Sequence, residues 1–266
     1  MRHFSSPLNT AQYVAGVPSP QNAIDLFKGE WWSRFPAPFD GLRTGDVETF
    51  DDPRIAWAIS EFGGVAGKSV LELGPLEGGH SYMLERAGIA SIIAIEAHPR
   101  AYLRCLVAKE IVGMPHTRFL CGDFIDYLRA SPPRFDAVIA SGVLYHMTNP
   151  VELMALLARV TDKLFLWTHY YDAEPLTRNR EVASRFSGET RCIHEGFEHR
   201  LFRYVYGGSF GIGGPRAFSN WMLRDEILDA LGLFGFNMIR TAFNTPDHPN
   251  GPSFALVAER FKPNEA

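Results

Sequence analysis

The chain has 266 residues, 46% of them hydrophobic and 13% aromatic, which is enough for one large domain with a sizeable core. Its formal net charge is −4, from 26 basic and 30 acidic side chains, and this balance argues against a nucleic-acid partner held by bulk charge. No apolar run is long enough to span a bilayer and no N-terminal apolar segment marks a secretion signal, so a membrane role is not expected.

Residues 1–52 are irregular, punctuated by Pro7, Pro18, Pro20, Pro36 and Pro38, yet they carry Phe27, Trp31, Trp32, Phe35 and Phe39. A disordered tail has few aromatics, so this segment is expected to pack on the body or cover a site. Trp31, Trp32 and Arg34 read first as anchoring and second as groups reaching over a ligand. The body, residues 53–266, opens at Asp51-Asp52-Pro53, an acidic helix start with Pro at the first helical position. From Ser69 onward strands and helices alternate. Strands are expected over 69–73, 91–96, 118–121, 135–140 and 163–168. Helices are expected over 79–87, 99–112 and 124–129, and from Pro150 with Val151, Met154, Leu157 and Val160 facing inward. A helix over 220–231 and strands over 237–243 and 253–261 complete the body. This order predicts an α/β fold: a doubly wound, mostly parallel seven-stranded sheet with helices on both faces. Residues 170–218 break the pattern with charges, aromatics and the cluster Gly207, Gly208, Gly211, Gly213 and Gly214, and read as an inserted substrate cap, with the glycines suited to a mobile lid or a tight hairpin.

The most informative stretch is Val70-Leu71-Glu72-Leu73-Gly74-Pro75-Leu76-Glu77-Gly78-Gly79-His80, a buried strand entering a glycine-bearing turn and then a helix. Glu96 ends the next apolar run. That order builds a nucleoside-binding crevice, in which glycines admit the ligand and a carboxylate accepts from ribose hydroxyls. Leu76 replaces the middle glycine of the dinucleotide fingerprint, and Glu77 would place a negative charge where a pyrophosphate binds. A ligand with a nucleoside and no phosphate fits better, and S-adenosylmethionine is the leading candidate cofactor.

Four motifs occur in order: Glu72-Leu73-Gly74 with Gly78, then Glu96, then Cys121-Gly122-Asp123-Phe124, then Phe135–Ala140 followed by Ser141-Gly142. In these the chain resembles the class I S-adenosylmethionine-dependent methyltransferases, over roughly residues 53–168 and more loosely over the last two strands. The resemblance implies that Glu72, Gly74 and Gly78 form the loop beneath the methionine end of the cofactor and that Glu96 holds the ribose. It also implies that Asp123 and Phe124 meet the adenine and that Ser141 faces cofactor and substrate. Leu76 departs from the family's usual glycine and would narrow the space beside the methionine tail. Ser141-Gly142-Val143-Leu144-Tyr145-His146 resembles the branch with a G-V-L-Y-H segment, one class of which transfers a carboxymethyl group to a tRNA wobble uridine. This chain lacks that branch's basic character. With Trp167-Thr168-His169-Tyr170-Tyr171-Asp172 it is also similar to bacterial methyltransferase domains of unassigned substrate.

Methyl transfer needs the nucleophile aligned and shielded from water, and an oxygen or nitrogen nucleophile is helped by a base. His146, just past the fourth strand, is the leading base, with bonding of the following turn as its structural reading. Tyr145 orients substrate or lines the cofactor pocket. His169 is the second catalytic candidate, and Tyr170 and Tyr171 with Asp172 form the expected substrate cluster. His80 reads either as a contact to the cofactor carboxylate or as a helix-surface residue. His194-Glu195-x-x-x-His199 is one residue too long for the H-E-x-x-H pattern, so no metal is assigned and these are expected to face solvent. Arg178, Arg180, Arg185 and Arg191 read as a solvated face. Cys105, Cys121 and Cys192 form no C-x-x-C pair; two of them, in apolar runs, read as core, and a reducing cytoplasm is the natural setting. The leading expectation is a cytoplasmic methyltransferase acting on a small molecule or glycan, at oxygen. An RNA-modifying methyl- or carboxymethyltransferase and a non-catalytic cofactor-binding module are the alternatives.

Overall fold

The computed structural model describes residues 13–206 and 216–261, so the glycine cluster between Gly207 and Gly214 lies outside the described residues. Five strands run parallel: β1 (Ser69–Leu73), β2 (Ser91–Glu96), β3 (Thr117–Cys121), β4 (Ala137–Ser141) and β5 (Lys163–His169). Two late strands, β9 (Met238–Thr245) and β10 (Ser253–Glu259), add antiparallel, giving the order β3-β2-β1-β4-β5-β10-β9. The central strands are mainly apolar because both faces are covered, with Glu72 in β1 and Glu96 at the end of β2 as the charged exceptions. Leu71, Leu73, Val138 and Ala140 point into one core cluster, with α6 (Pro150–Val160) and α9 (Arg224–Leu233). Val70, Ala137 and Ile139 point into the other, which is closed by α2 (Pro53–Glu61), α4 (Pro99–Val112) and the N-terminal aromatics Trp31, Phe35 and Phe50. The N-terminal stretch, including α1 (Pro20–Ile24), thus supplies core.

Helix starts follow local capping. Asp52, Asp123 and Asn149 each accept from a backbone N–H of the first turn of α2, α5 (Phe124–Arg129) and α6, and Pro occupies the first position of α2, α4 and α6. The turn after β1 leads into α3 (Gly79–Arg86), so the glycine loop, Glu96 and the ends of β4 and β5 all meet at the carboxyl edge of the sheet, where open α/β folds bind ligands.

Beyond β5 the chain builds a second sheet that the sequence reading described only as a cap. Two short helices, α7 (Ala173–Leu176) and α8 (Arg180–Ala183), precede β6 (Phe186–His194), β7 (Phe197–Val205) and β8 (Phe218–Trp221), an antiparallel sheet in that order. Glu195 and Gly196, both with positive φ, make the hairpin turn. The cap is tied back by Asn220, whose backbone N–H and side chain donate to the Met147 and Thr148 carbonyls.

Three expectations are corrected. Cys105 is buried but Cys121 is exposed, because it ends β3 at the outer edge of the sheet. His199 does not face solvent: it is 2% exposed, with Nδ1 at the Phe197 carbonyl and Nε2 3.1 Å from Cys192 Sγ. The last helix begins four residues later than expected, at Arg224, because 218–221 is strand. Arg178, Arg185 and Arg191 are paired with acids at the surface. Among the described residues no helix is long and apolar enough to cross a membrane, and no group of His, Cys, Asp and Glu is placed to hold a metal.

Candidate active site

The loop after β1 alternates left-handed residues: Gly74 at φ +65°, Leu76 at +56° and Gly78 at +82°. A Cβ on Gly74 would sit 2.8 Å from Val143 Cγ1, so the loop passes tightly under the start of the β4 turn. Leu76 pays a steric penalty in this region. Two acids bracket it. Glu96 accepts from the Leu76 N–H at 3.1 Å through one oxygen and from the His98 N–H at 2.8 Å through the other. A carboxylate has about four lone-pair positions, so Glu96 retains acceptor capacity for two more donors. Burial raises its carboxyl pKa against those two bonds.

Glu72 is 1% exposed. The Ser81 hydroxyl donates to its Oε2, whereas Oε1 is buried without a hydrogen-bond partner. Burial pushes the Glu72 carboxyl up, and Glu96 adds to the shift. His80 lies between two acids, with Nε2 3.1 Å from Asp52 Oδ2 and Nδ1 3.9 Å from Glu72 Oε1. Burial works to raise the Asp52 carboxyl, but bonds from His80 and Arg54 outweigh it and hold it well below the usual range.

Gly78 heads α3, and the place of its missing Cβ is 3.0 Å from Phe119 in the core. Asp123, exposed at the end of β3, accepts from the Ile125 N–H at 2.7 Å, and Phe124 beside it is buried. Ser141 ends β4 opposite Trp167. Glu77 is placed otherwise than the sequence suggests. It is fully buried, accepts from the backbone N–H groups of Trp32 (3.0 Å) and Ser33 (2.8 Å), and forms an ion pair with Arg104 Nε at 3.0 Å. Its charge therefore serves the N-terminal segment and α4.

On the acceptor side, Tyr145 stands between the two candidate histidines, its ring 4.1 Å from that of His146 and 4.6 Å from that of His169. His146 Nδ1 is 2.7 Å from Tyr206 OH, which donates to Ser219 Oγ at 2.9 Å. Both partners come from the cap. Burial lowers the His146 pKa to about 4, with repulsion from His169 adding to it. His169 is 4% exposed and stacks flat on Trp221 at 5.3 Å. Its Nδ1 is 2.8 Å from the Gly251 carbonyl, which can only accept, so this nitrogen carries the proton. Burial, then His248, lowers the His169 pKa to about 4 against that carbonyl contact. Burial raises the Tyr145 hydroxyl well above its ordinary value and the Tyr206 hydroxyl to about 12. Trp167 and His248 close the wall, and the Arg54 guanidinium lies over Trp167 at 4.3 Å.

The structure thus brings together Tyr145, His146 and His169, and separately Glu72, Gly74 and Glu96. It does not bring Tyr170 to them: that ring packs edge-on against Phe254 in the core. Tyr171 stacks on Phe202 at 3.6 Å, joining the cap to the body. Trp31 is buried with its indole N–H on the Ile24 carbonyl, and Trp32 is 55% exposed. Sequence reasoning missed Arg54, Tyr206, Ser219, Trp221 and His248, and gave Glu77 a different place. Only the alternation from Phe197 to Val205 hinted that cap strands would present side chains inward.

Residues 71–163 match a family model described as a methyltransferase domain. A tRNA U34 carboxymethyltransferase from Chromohalobacter salexigens is 28% identical over 127 residues, 46% of this chain and 37% of that protein. Its counterpart from Shewanella piezotolerans is 28% identical over 165 residues, 59% of this chain and 47% of that protein. The chain therefore spans less than half the length of the curated relatives it matches. Among solved structures, the N-terminal domain of EvdMO1, determined in the presence of SAH and D-fucose, superposes with a TM-score of 0.69 at 23% identity, covering 91% of this chain and 95% of that one. Magnesium protoporphyrin IX methyltransferase from Synechocystis PCC 6803 with bound SAH superposes at 0.56 and 20% identity, covering 79% and 81%.

Proposed function

We propose that this chain, which belongs to the class I S-adenosylmethionine-dependent methyltransferases, methylates an oxygen of a small-molecule or glycan acceptor, with His146 as the base. The residues present fit the cofactor. Glu72 offers a buried carboxylate oxygen with no hydrogen-bond partner, 3.9 Å from His80 Nδ1, suited to an ammonium group. Glu96 has capacity for the ribose hydroxyls after its two backbone bonds. By the family resemblance Asp123 and Phe124 would meet the adenine end, and Ser141 would face cofactor and acceptor. When bound, S-adenosylmethionine supplies a methyl group activated by attachment to a sulfonium.

The observation that carries the reading is the bond from His146 to Tyr206. Tyr206 OH also contacts Ser219 Oγ, and with the tyrosine hydroxyl accepting from Nδ1–H, His146 Nε2 keeps a lone pair for the acceptor. With a pKa of about 4, His146 is neutral at ordinary pH. A hydroxyl that is gaining a methyl group becomes strongly acidic, so even this weak base can take its proton. Tyr145, Trp167 and His169 would wall the acceptor from water. The likeness to the EvdMO1 domain determined with D-fucose supports a sugar-like acceptor.

A second reading is carboxymethyl transfer to RNA. The curated relatives favour it, and Arg54 over Trp167 is a cation at the mouth, although Asp52 already pairs with it. The test is transfer of labelled methyl from S-adenosylmethionine to a panel of hexoses and small hydroxyl compounds, beside transfer from carboxy-S-adenosylmethionine to total tRNA. Labelled sugar with silent tRNA supports the first reading, and the reverse supports the second. Cofactor binding with neither product would make the chain a binding module. On the accepted substrate, His146→Ala should lower turnover by roughly 10²–10⁴ without weakening cofactor affinity. Unchanged turnover removes His146 as the base.

A further inference from the structure

We infer that Glu77 is a positioning residue for the cofactor, clasping the N-terminal segment onto the loop that would carry it. The inference rests on the cofactor reading above.

Glu77 sits between Leu76 and Gly78, inside the loop, and is fully buried. Burying a carboxylate is costly unless it is paired and bonded. Each of its partners comes from elsewhere in the chain: the N–H groups of Trp32 and Ser33, and Arg104 of α4. Arg104 also reaches Glu30, which is bonded in turn to Arg100. The Trp32–Ser33 segment is held against its own strand-like return. Val47 donates to the Trp32 carbonyl and Gly45 to the Ser33 carbonyl, both at 3.0 Å. A few residues on, the Thr49 hydroxyl donates to Ser33 Oγ at 2.6 Å.

A second contact closes the clasp from the helix side. A Cβ on Gly79 would fall 2.5–2.7 Å from Thr49 atoms, including its backbone carbonyl, so the N-terminal segment lies directly on the first turn of α3. The loop is thus gripped at Glu77 and at Gly79. Between those grips and Gly74, Leu76 is held at φ +56° with its N–H on Glu96. The same Leu76 carbonyl is 3.5 Å from Cys105 Sγ. Releasing Glu77 frees the loop to leave this strained form, and Glu96 loses one of the bonds that orient it. Docking of the N-terminal segment and cofactor affinity are therefore coupled through one carboxylate.

The test uses the full chain, with S-adenosylhomocysteine as probe. Calorimetric affinity and the rise in Tm on adding the probe are measured for wild type, Glu77→Gln and Glu61→Gln. Glu61 pairs with Arg240 and is remote from the loop, so its variant controls for general destabilisation. Glutamine keeps the shape of Glu77 and loses the charge that pairs with Arg104. Glu77→Gln is expected to bind at least about tenfold more weakly and to show a smaller Tm rise, with Glu61→Gln matching wild type in affinity. If Glu77→Gln does not fold, Arg104→Gln, which removes the charge paired with Glu77, carries the same expectation. Wild-type affinity in the folded variant overturns the clasp while leaving the cofactor reading intact. No binding by wild type overturns the cofactor reading itself.

Discussion

His169 gives a prediction that needs no substrate. The ring is 4% exposed, stacked on Trp221, with Nδ1–H on the Gly251 carbonyl. Its folded pKa of about 4 lies below the ordinary 6.5. Between these values the unfolded chain binds a proton that the folded chain refuses, so stability rises with pH across that window. The contribution is fully present above about pH 6.5 and is lost as pH falls toward 4. From about pH 7 to about pH 4.5 the loss from this one group is about 2.5 kcal/mol. In His169→Asn the amide N–H can still reach the Gly251 carbonyl, but nothing titrates. Urea unfolding at the two pH values, followed by tryptophan fluorescence, gives the loss for each protein. Titration of carboxylates elsewhere is common to both and cancels. The variant should lose about 2.5 kcal/mol less than wild type over this interval, whatever its offset at neutral pH. An equal loss would mean that the imidazole protonates freely in the folded protein, and the closed aromatic wall would be wrong.

Glu96→Ala should weaken S-adenosylhomocysteine binding by about 1–3 kcal/mol in calorimetry, through lost charge-assisted bonds. Unchanged affinity would remove Glu96 from the site. Gly79→Ala should destabilise the fold by roughly 1–3 kcal/mol, because its methyl group meets backbone atoms of Thr49 that cannot rotate away. Denaturant midpoints at constant slope check this. Tyr206→Phe should leave cofactor affinity unchanged and shift His146 away from the Nδ1–H tautomer, read from the imidazole nitrogen shifts by NMR. An unaltered tautomer would show that the cap does not set the proton on His146.

The body of the fold was legible because its central strands are buried on both faces and read as mainly apolar runs between turn residues. β1, β2, α4 and α5 match the expected spans to the residue for this reason, and caps such as Asn149-Pro150 fix where helices start. The cap sheet was not legible. β6 exposes most of its length, and Ser187-Gly188-Glu189-Thr190-Arg191 carries no alternation, so nothing local distinguishes it from a loop. β7 does alternate in part and is followed by no charged run, but its pairing partner gives no sign of itself. In the site, residues at the ends of parallel strands could be placed from the strand pattern alone, as with Glu96 and His146. Glu77 could not. Its partners Trp32 and Ser33 are 45 and 44 residues away, and adjacency in sequence suggested a negative charge at the helix start where a pyrophosphate would bind. Tyr170 was drawn into the substrate cluster by its neighbours His169 and Tyr171, yet strand geometry turns it to the core.

The most direct test of the account is calorimetric titration of the folded chain with S-adenosylmethionine, S-adenosylhomocysteine and carboxy-S-adenosylmethionine. The account predicts saturable binding of the first two, at one site per chain, and no preference for the carboxylated form. Preference for that form would transfer the function to the RNA reading. Binding of none of the three would contradict the cofactor assignment and leave Glu72, Glu96 and the left-handed loop as scaffold.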